Sequence, residues 1–267
     1  MQRGARADGT GLNAIRALEE RSFNAWPALQ TVLAGGWVLR FADGYTKRAN
    51  SVNALLPALA VEDIAAFAAP LYAAKGLPLI FRLSPLAGAT DDQQLAALGY
   101  VRIDETIVMT APIPILACAD AAVHIAGRPV EAWTSGFARA NDVPPPRQSI
   151  HDRMLASIQP SAAFAALKGA DDLDFAWGLA VTERGMTGLF DIVTRPALRR
   201  HGGARRLVGS LLDWGRRQGA ETAYLQVLAS NAPAIALYSS FGFGEIYRYH
   251  YRIRPDAIRG HTYRPTA

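Results

Sequence analysis

Arg199 to Ala204 (RRHGGA) sets two glycines between a strand-like run and an amphipathic helix. A helix start presents orphan N–H groups and a partial positive charge, and glycine lets an anion reach that backbone without meeting a Cβ. Arg199, Arg200, His201, Gly202, Gly203 and Ala204 therefore form a candidate phosphate cradle, and a pyrophosphate matches its size. Other chemically capable residues stand in weaker patterns. Glu183 lies in the turn-like TERG, where capping a hairpin is its expected role, and His250 lies within YRYHYR, where it reads as one face of a strand. The five histidines (124, 151, 201, 250 and 261) and the single Cys118 show no metal-ligand spacing, so no metal is expected.

The elements that must position this cradle can be read around it. Leu189 to Thr194 (LFDIVT) is a short β-rich run closed by Arg195 and Pro196, where a central strand cannot continue. Ala204, Leu207, Val208, Leu211, Leu212 and Gly215 then recur at helical spacing. Glu221 to Ala229 predicts a strand, Asn231 to Phe241 a short helix, and the residues after Gly242 and Phe243 another strand. The order is strand, cradle, helix, strand, helix, strand.

At this point the chain resembles the GNAT superfamily of acyl-CoA-dependent N-acetyltransferases. Its signature is Arg or Gln, two residues, Gly, one residue, then Gly or Ala, and Arg199, Gly202 and Ala204 fill it. The family also carries an Asn after the next strand and a Tyr four residues before a Gly-Phe pair, matched by Asn231, Tyr238, Gly242 and Phe243. The likeness is closest over roughly residues 123 to 254. It implies a sheet splayed open between Leu189–Thr194 and Glu221–Ala229, with acetyl-CoA entering the split as co-substrate. Backbone groups of Ile192, Val193 and Thr194 would pair with the pantetheine arm, amides of Arg199 to Ala204 would hold the pyrophosphate, and Asn231 would complete the cofactor site. Gln226 departs from the pattern, standing where many members carry Glu.

The resemblance implies transfer to a primary amine by direct attack, which sets the proton chemistry. A lysine-like amine has a pKa near ~10.4 and must lose a proton before it attacks, while a departing thiolate, near ~8.5, can accept one. Tyr238 is the expected acid. Asp191 ranks first as base, with ordered water as the rival, because strand alternation leaves its face open.

Composition is compatible with this. At 267 residues, 50% hydrophobic and 19% charged, the chain can bury one large core or two modest ones, and its net charge of +5 favours anionic ligands. The Arg and Tyr string at the C-terminal end also fits a strand with one solvated basic face, and no nucleic-acid motif accompanies it, so nucleic acid is not an expected partner. The absence of a long apolar run and of a leader-like start predicts no membrane span and a cytoplasmic location; a homodimer is compatible with the sequence.

The first half repeats the second. Gly76, LPLIFRLS, DDQQLAAL and Gly99–Tyr100 follow the order and spacing of Gly219, AYLQVLA, APAIALYSSF and Gly242–Phe243. In that register Leu56, Leu59 and Val61 replace Arg199, Gly202 and Ala204, Gly88 replaces Asn231, and Leu95 replaces Tyr238. The expected fold is α/β: two tandem GNAT-like domains, each a mixed, mostly antiparallel sheet flanked by helices, a shorter degenerate one over 1–115 and a catalytic one over 122–267. GWVLRFADG and RANSV read as first-half strands, Leu12 to Trp26 as a helix over the core, Pro112 to Ala122 as a linker, and Pro144 to Pro146 as a break between two helices. A catalytically silent acyl-CoA-binding regulatory module is the alternative function.

Overall fold

The computed structural model describes residues 9–114 and 119–260, so Cys118 lies outside the described residues. The first half runs α1 (Gly9–Ala25), β1 (Gln30–Ala34), β2 (Trp37–Phe41), β3 (Val52–Ala54), α2 (Val61–Ala73), β4 (Ile80–Leu83), α3 (Ala89–Ala97) and β5 (Val101–Pro112). The second runs β6 (Val123–Ala126), α4 (Glu131–Ala140), α5 (Pro145–Ala156), β7 (Ser161–Lys168), β8 (Asp174–Glu183), β9 (Met186–Thr194), α6 (Gly203–Arg217), β10 (Thr222–Leu228), α7 (Ala232–Ser239), β11 (Gly244–Ile253) and α8 (Pro255–Gly260). Helix α1 falls where the sequence put it, and the prolines separate α4 from α5. RANSV is only partly strand, because Lys47–Ala49 forms a turn of 3₁₀ helix before β3.

The repeat is visible in the helix ends. Each of these helices stops at a left-handed glycine, where any other residue would carry a steric cost. Gly76 (φ 63) follows α2 and Gly219 (φ 83) follows α6; Leu77 N–H returns to Tyr72 C=O as Ala220 N–H returns to Gly215 C=O. Gly99 (φ 84) and Gly242 (φ 85) end α3 and α7 in the same way, with Tyr100 N–H on Leu95 and Phe243 N–H on Tyr238. The Gly-Phe pair of the sequence signature is thus a helix stop whose aromatic packs back on Tyr238, ring centroids 6.0 Å apart.

All strands join one 11-stranded sheet in the order β1-β2-β3-β4-β11-β5-β10-β9-β8-β7-β6. The last strand of each half is exchanged: β11 pairs with β4, β5 pairs with β10, and β5 and β11 pair with each other. Pairing continues past β5, where Ile113 N–H reaches Glu221 C=O, so the stretch read as a linker begins inside the sheet. On β11, Tyr247, Tyr249 and Tyr251 are buried, and Arg248 is exposed while His250 and Arg252 are half-buried. Its aromatics are core and are not free to stack on bases.

Asp92 clasps α3 to the exchanged strand. It accepts from His250 Nε2 at 2.7 Å and from Arg252 at 2.7 and 3.0 Å, and the Arg252 hydrogen bond leads the causes that lower its pKa to about 2. For a depressed carboxylate the stabilisation is present above the ordinary value and disappears as pH falls through the folded one. The melting-temperature gap between wild type and Asp92→Asn should therefore shrink as pH is lowered from about 4 toward about 2. A gap constant over that window would show that the clasp adds nothing.

Candidate active site

Strands β9 and β10 are parallel but pair only over Met186–Leu189 and Thr222–Leu225. Beyond that point they part. β9 continues against β8 alone, and β10 continues against β5 alone, so the edge of Phe190 to Thr194 facing the gap has no strand partner among the described residues. This is the split that the family resemblance implies, and Ile192, Val193 and Thr194 lie along it.

A bulge decides which side chains face which side. The register of β9 against β8 slips between Phe190 and Val193, and Asp191 takes φ 52. An inserted residue breaks the alternation of faces. Phe190 stacks on Trp26, just after α1, and Asp191 turns to the same side to meet His151 of α5, while Ile192 lies on the α6 side, beside the leucines of that helix. Gly178 stands opposite the bulge; a Cβ there would lie 2.7 Å from Ile192 Cδ1.

The helix start beyond β9 has the free amides an anion needs. Leu198 and Arg199 N–H turn back to Arg195 and Pro196, and Arg206 N–H begins the helix on Gly202, but the amides of Arg200 to Arg205 meet no acceptor among the described residues. Arg200 (φ 68) and Gly202 (φ 78) are left-handed, and the Cβ direction of Gly202 is open space. Gly203 is needed for packing, since a Cβ there would lie 2.6 Å from the Phe175 ring. Ala204 is half-buried behind it, His201 is exposed, and Arg199 Nε reaches back to Thr194 C=O at 3.3 Å.

The first half handles the corresponding backbone differently. Leu55 and Leu56 N–H donate to Gly36 C=O, and Ala58 and Leu59 N–H donate to Gly35 C=O. The loop amides before α2 are therefore occupied, Pro57 has none to offer, and only the amides of Ala60 to Asp63 at the helix start meet no acceptor among the described residues.

On the α6 side of the split, α7 carries Tyr238, buried against Phe243. Burial alone pushes its phenol up, which keeps the proton on the hydroxyl. Asn231 caps α7 by accepting from Ala234 N–H at 3.2 Å, so one of its side-chain atoms has a structural task. On the α1 side, Gln226 donates to Ser22 Oγ at 2.7 Å and accepts from Tyr249 Oη at 2.9 Å, which fixes its amide. Glu183 sits at the β8–β9 hairpin, held by Asn24 and Arg184. A groove of about 970 Å³ between α1, β1 and that hairpin lies at the opposite end of β9 from the split. Among the described residues no group of three His, Cys, Asp or Glu could hold a metal, and no helix is long and apolar enough to cross a membrane.

Sequence reasoning missed the surroundings of Asp191. His151 comes from α5, and Trp26 and Tyr45 come from the first half, far away in the chain. No local pattern marks them.

A mixed sheet parted between two parallel strands, with a glycine-opened helix start at the end of the gap, defines the GNAT class of acetyltransferases. Residues 13–252 match the family described as "Probable histone acetyltransferase Rv0428c C-terminal", and the chain belongs to it. It is 29% identical over 250 residues to the "Uncharacterized N-acetyltransferase YobR" of Bacillus subtilis, covering 91% of this chain and 100% of that one. A shorter stretch of 75 residues, 26% of this chain, is 45% identical to the "[Ribosomal protein bS18]-alanine N-acetyltransferase" of Escherichia coli, spanning 51% of that protein. Among solved structures, a GCN5-related N-acetyltransferase from Kribbella flavida superposes with TM-score 0.62 at 15% identity, over 90% of this chain and 95% of that one. A tandem GNAT protein from the clavulanic acid biosynthesis pathway superposes with TM-score 0.60 at 13% identity, over 93% and 88%. The chain is an acyltransferase.

The two glycines should respond differently to substitution. Gly203→Ala drives a methyl into Phe175 and should cost about 1–3 kcal/mol. Gly202→Asn places a side chain in open space in a conformation Asn tolerates, and should cost less than about 1 kcal/mol. Urea denaturation of both variants checks this; equal losses would refute the packing account.

Proposed function

We propose that the chain transfers the acetyl group of acetyl-CoA to a primary amine of a small molecule or protein, by direct attack. The observation that carries this is the unbroken run of amides at Arg200 to Arg205 that meet no acceptor among the described residues, set beyond an open strand edge, where the first half's loop amides of Leu55, Leu56, Ala58 and Leu59 are occupied. Residues 122–267 are the catalytic part and residues 1–115 a cofactor-free partner. Acetyl-CoA supplies the activated acetyl thioester. The strand edge of Ile192, Val193 and Thr194 offers N–H and C=O groups to the pantetheine amides, as a neighbouring strand would. Arg199, Arg200, His201, Gly202, Gly203 and Ala204 cradle the pyrophosphate, and Asn231 flanks the thiol end. The reading places the chain in the cytoplasm, where acetyl-CoA is made.

The residues on the two faces of the split divide the proton work. Asp191 takes a proton from the incoming ammonium, so that the neutral nitrogen can form a C–N bond to the acetyl carbon as the C–S bond breaks. Tyr238 keeps its proton through burial and donates a hydrogen bond to the sulfur as negative charge develops there. The second proton lost by nitrogen leaves through solvent and balances the one gained by the thiol. The alanine N-acetyltransferase relative supports trying peptides with an N-terminal alanine first, beside lysyl peptides and polyamines.

Two outcomes test the binding part. Calorimetry should give one acetyl-CoA per chain, and Gly202→Asn should weaken it at least roughly tenfold through the side chain's approach to the cradle. Two equivalents, or unchanged affinity in the variant, would remove the reading.

Tyr238→Phe tests the chemistry. It keeps the ring and removes the donor, so kcat should fall about 10²–10⁴-fold with little change in acetyl-CoA affinity. Because burial holds the phenol protonated, the loss should stay constant from about pH 6 to about pH 9. A variant as fast as wild type would leave Tyr238 as a core aromatic, and binding without turnover of any amine would favour a regulatory module.

A further inference from the structure

His151 is fully enclosed, yet it is a ring with two polar nitrogens. Nε2 lies 2.8 Å from Asp191 Oδ2. Nδ1 is buried with no hydrogen-bond partner among the described residues. Four aromatic rings surround the imidazole: Phe137 at 4.9 Å, Tyr45 at 5.0 Å, Trp26 at 5.7 Å and Trp133 at 6.5 Å between centroids. Two of them, Trp26 and Tyr45, belong to the first half. A buried N–H without an acceptor is costly, so a proton on Nδ1 is disfavoured and the ring is held as the tautomer that donates from Nε2.

Asp191 is correspondingly restricted. Its left-handed φ of 52 on a strand is a strained state that surrounding structure must hold. The His151 bond fixes Oδ2, and Oδ1 has no donor among the described residues. The charged and titratable groups packed near the pair are Tyr45 from the β2–β3 loop, and Arg147 and Asp152 from α5 itself; Arg147 also donates to Tyr45 C=O.

We propose that His151 is a positioning residue for the transfer: its Nε2–H holds one oxygen of Asp191 so that the other, Oδ1, faces the incoming amine, inside an aromatic wall half built by the first domain. The inference rests on the reading of Asp191 as base. In the step it serves, Asp191 Oδ1 takes one proton from the ammonium and later releases it to water, while the His151 proton stays on Nε2 throughout. The first half thereby gains a task beyond stability, since Trp26 and Tyr45 close the box that keeps the ring in place.

The experiment has an arm that needs no acceptor. In the full chain labelled with ¹⁵N-histidine, NMR should show the His151 ring protonated at Nε2 and bare at Nδ1, and Asp191→Asn should shift the Nε2–H resonance. A ring protonated at Nδ1 would overturn the proposal outright. The second arm measures kcat for the best of an alanyl peptide, a lysyl peptide and spermidine. His151→Leu should lower kcat roughly tenfold or more, a share of what general base catalysis supplies, with acetyl-CoA affinity unchanged. His151→Gln, which keeps an N–H donor, should recover most of the loss. In an Asp191→Asn background His151→Leu should cost nothing further in kcat. A purely structural histidine would lower melting temperature in both variants and both backgrounds without this pattern, and that result would refute the proposal. If Asp191→Asn turns over at the wild-type rate, the base assignment fails; if it falls while His151→Leu does not, only the role of His151 fails. A wild-type chain that acetylates none of the three amines removes the reading beneath the proposal, whatever the NMR shows.

Discussion

Strand β10 is paired with β5 along the whole of β10, from Leu228 opposite Thr106 to Thr222 opposite Pro112. That pairing is what allows β10 to leave β9. A strand in the middle of a sheet carries hydrogen-bonding groups on both edges, and buried ones must be satisfied. Because β5 satisfies the far edge of β10 completely, and β8 satisfies the far edge of β9, the two facing edges can open together and remain ordered. The strand that holds the split open is therefore contributed by the first half. The exchange ties the halves into a single sheet, so the site depends on the first half through β5 as much as through Trp26 and Tyr45.

Opening the split would be of little use if the strand simply alternated. With regular alternation Phe190 and Asp191 would face opposite sides, and the carboxylate would point toward α6 and its leucines. The bulge turns both toward α1 and sends Ile192 into the space that Gly178 leaves free. Left-handed backbone at a non-glycine residue costs of order 1–3 kcal/mol. The stacking of Phe190 on Trp26 and the bond from His151 to Asp191 are the contacts that offset it.

The legible parts of the sequence were those set by local physics. Gly202, Gly219 and Gly242 mark positions where only a left-handed residue fits, and α6 and α7 are found where their spacing put them. The repeat was legible for the same reason, since Gly76 and Gly99 perform the same stops in the first half. Long-range pairing was not. Nothing in YVRIDETIVMT says that it pairs with β10 in the other half, and a division of the chain near residue 115 does not show two strands crossing it. The side of Asp191 was hidden because a bulge has no composition of its own, and His151 because a lone histidine on a helix carries no sign of a carboxylate on a strand 40 residues away. RANSV departs from an all-strand run because Asn50 closes a turn there, its side chain accepting from Ala42 and Gly44 N–H.

In the first half the corresponding strands are sealed, and the packing there shows what holds them shut. Its parallel pair, β3 and β4, is joined only through Val52 and Phe81 and through Asn53 and Arg82, so a counterpart of the split exists in outline. Arg82 is fully buried there, paired with Glu19 of α1 and lying 3.6 Å from the Tyr249 ring, while Tyr247 donates to the same Glu19 at 2.5 Å. A buried ion pair is tolerable only while both partners stay matched; removing or separating one leaves an uncompensated charge. A ligand entering between β3 and β4 would have to separate Glu19 from Arg82 and displace tyrosines of the exchanged strand. Leu95, fully buried where the second half has Tyr238, offers no polar atom in return. The asymmetry between halves is thus enforced by charge as well as by shape: α1 seals one split with a carboxylate it cannot release, and three residues further along the same helix Ser22 steadies Gln226 at the lip of the other.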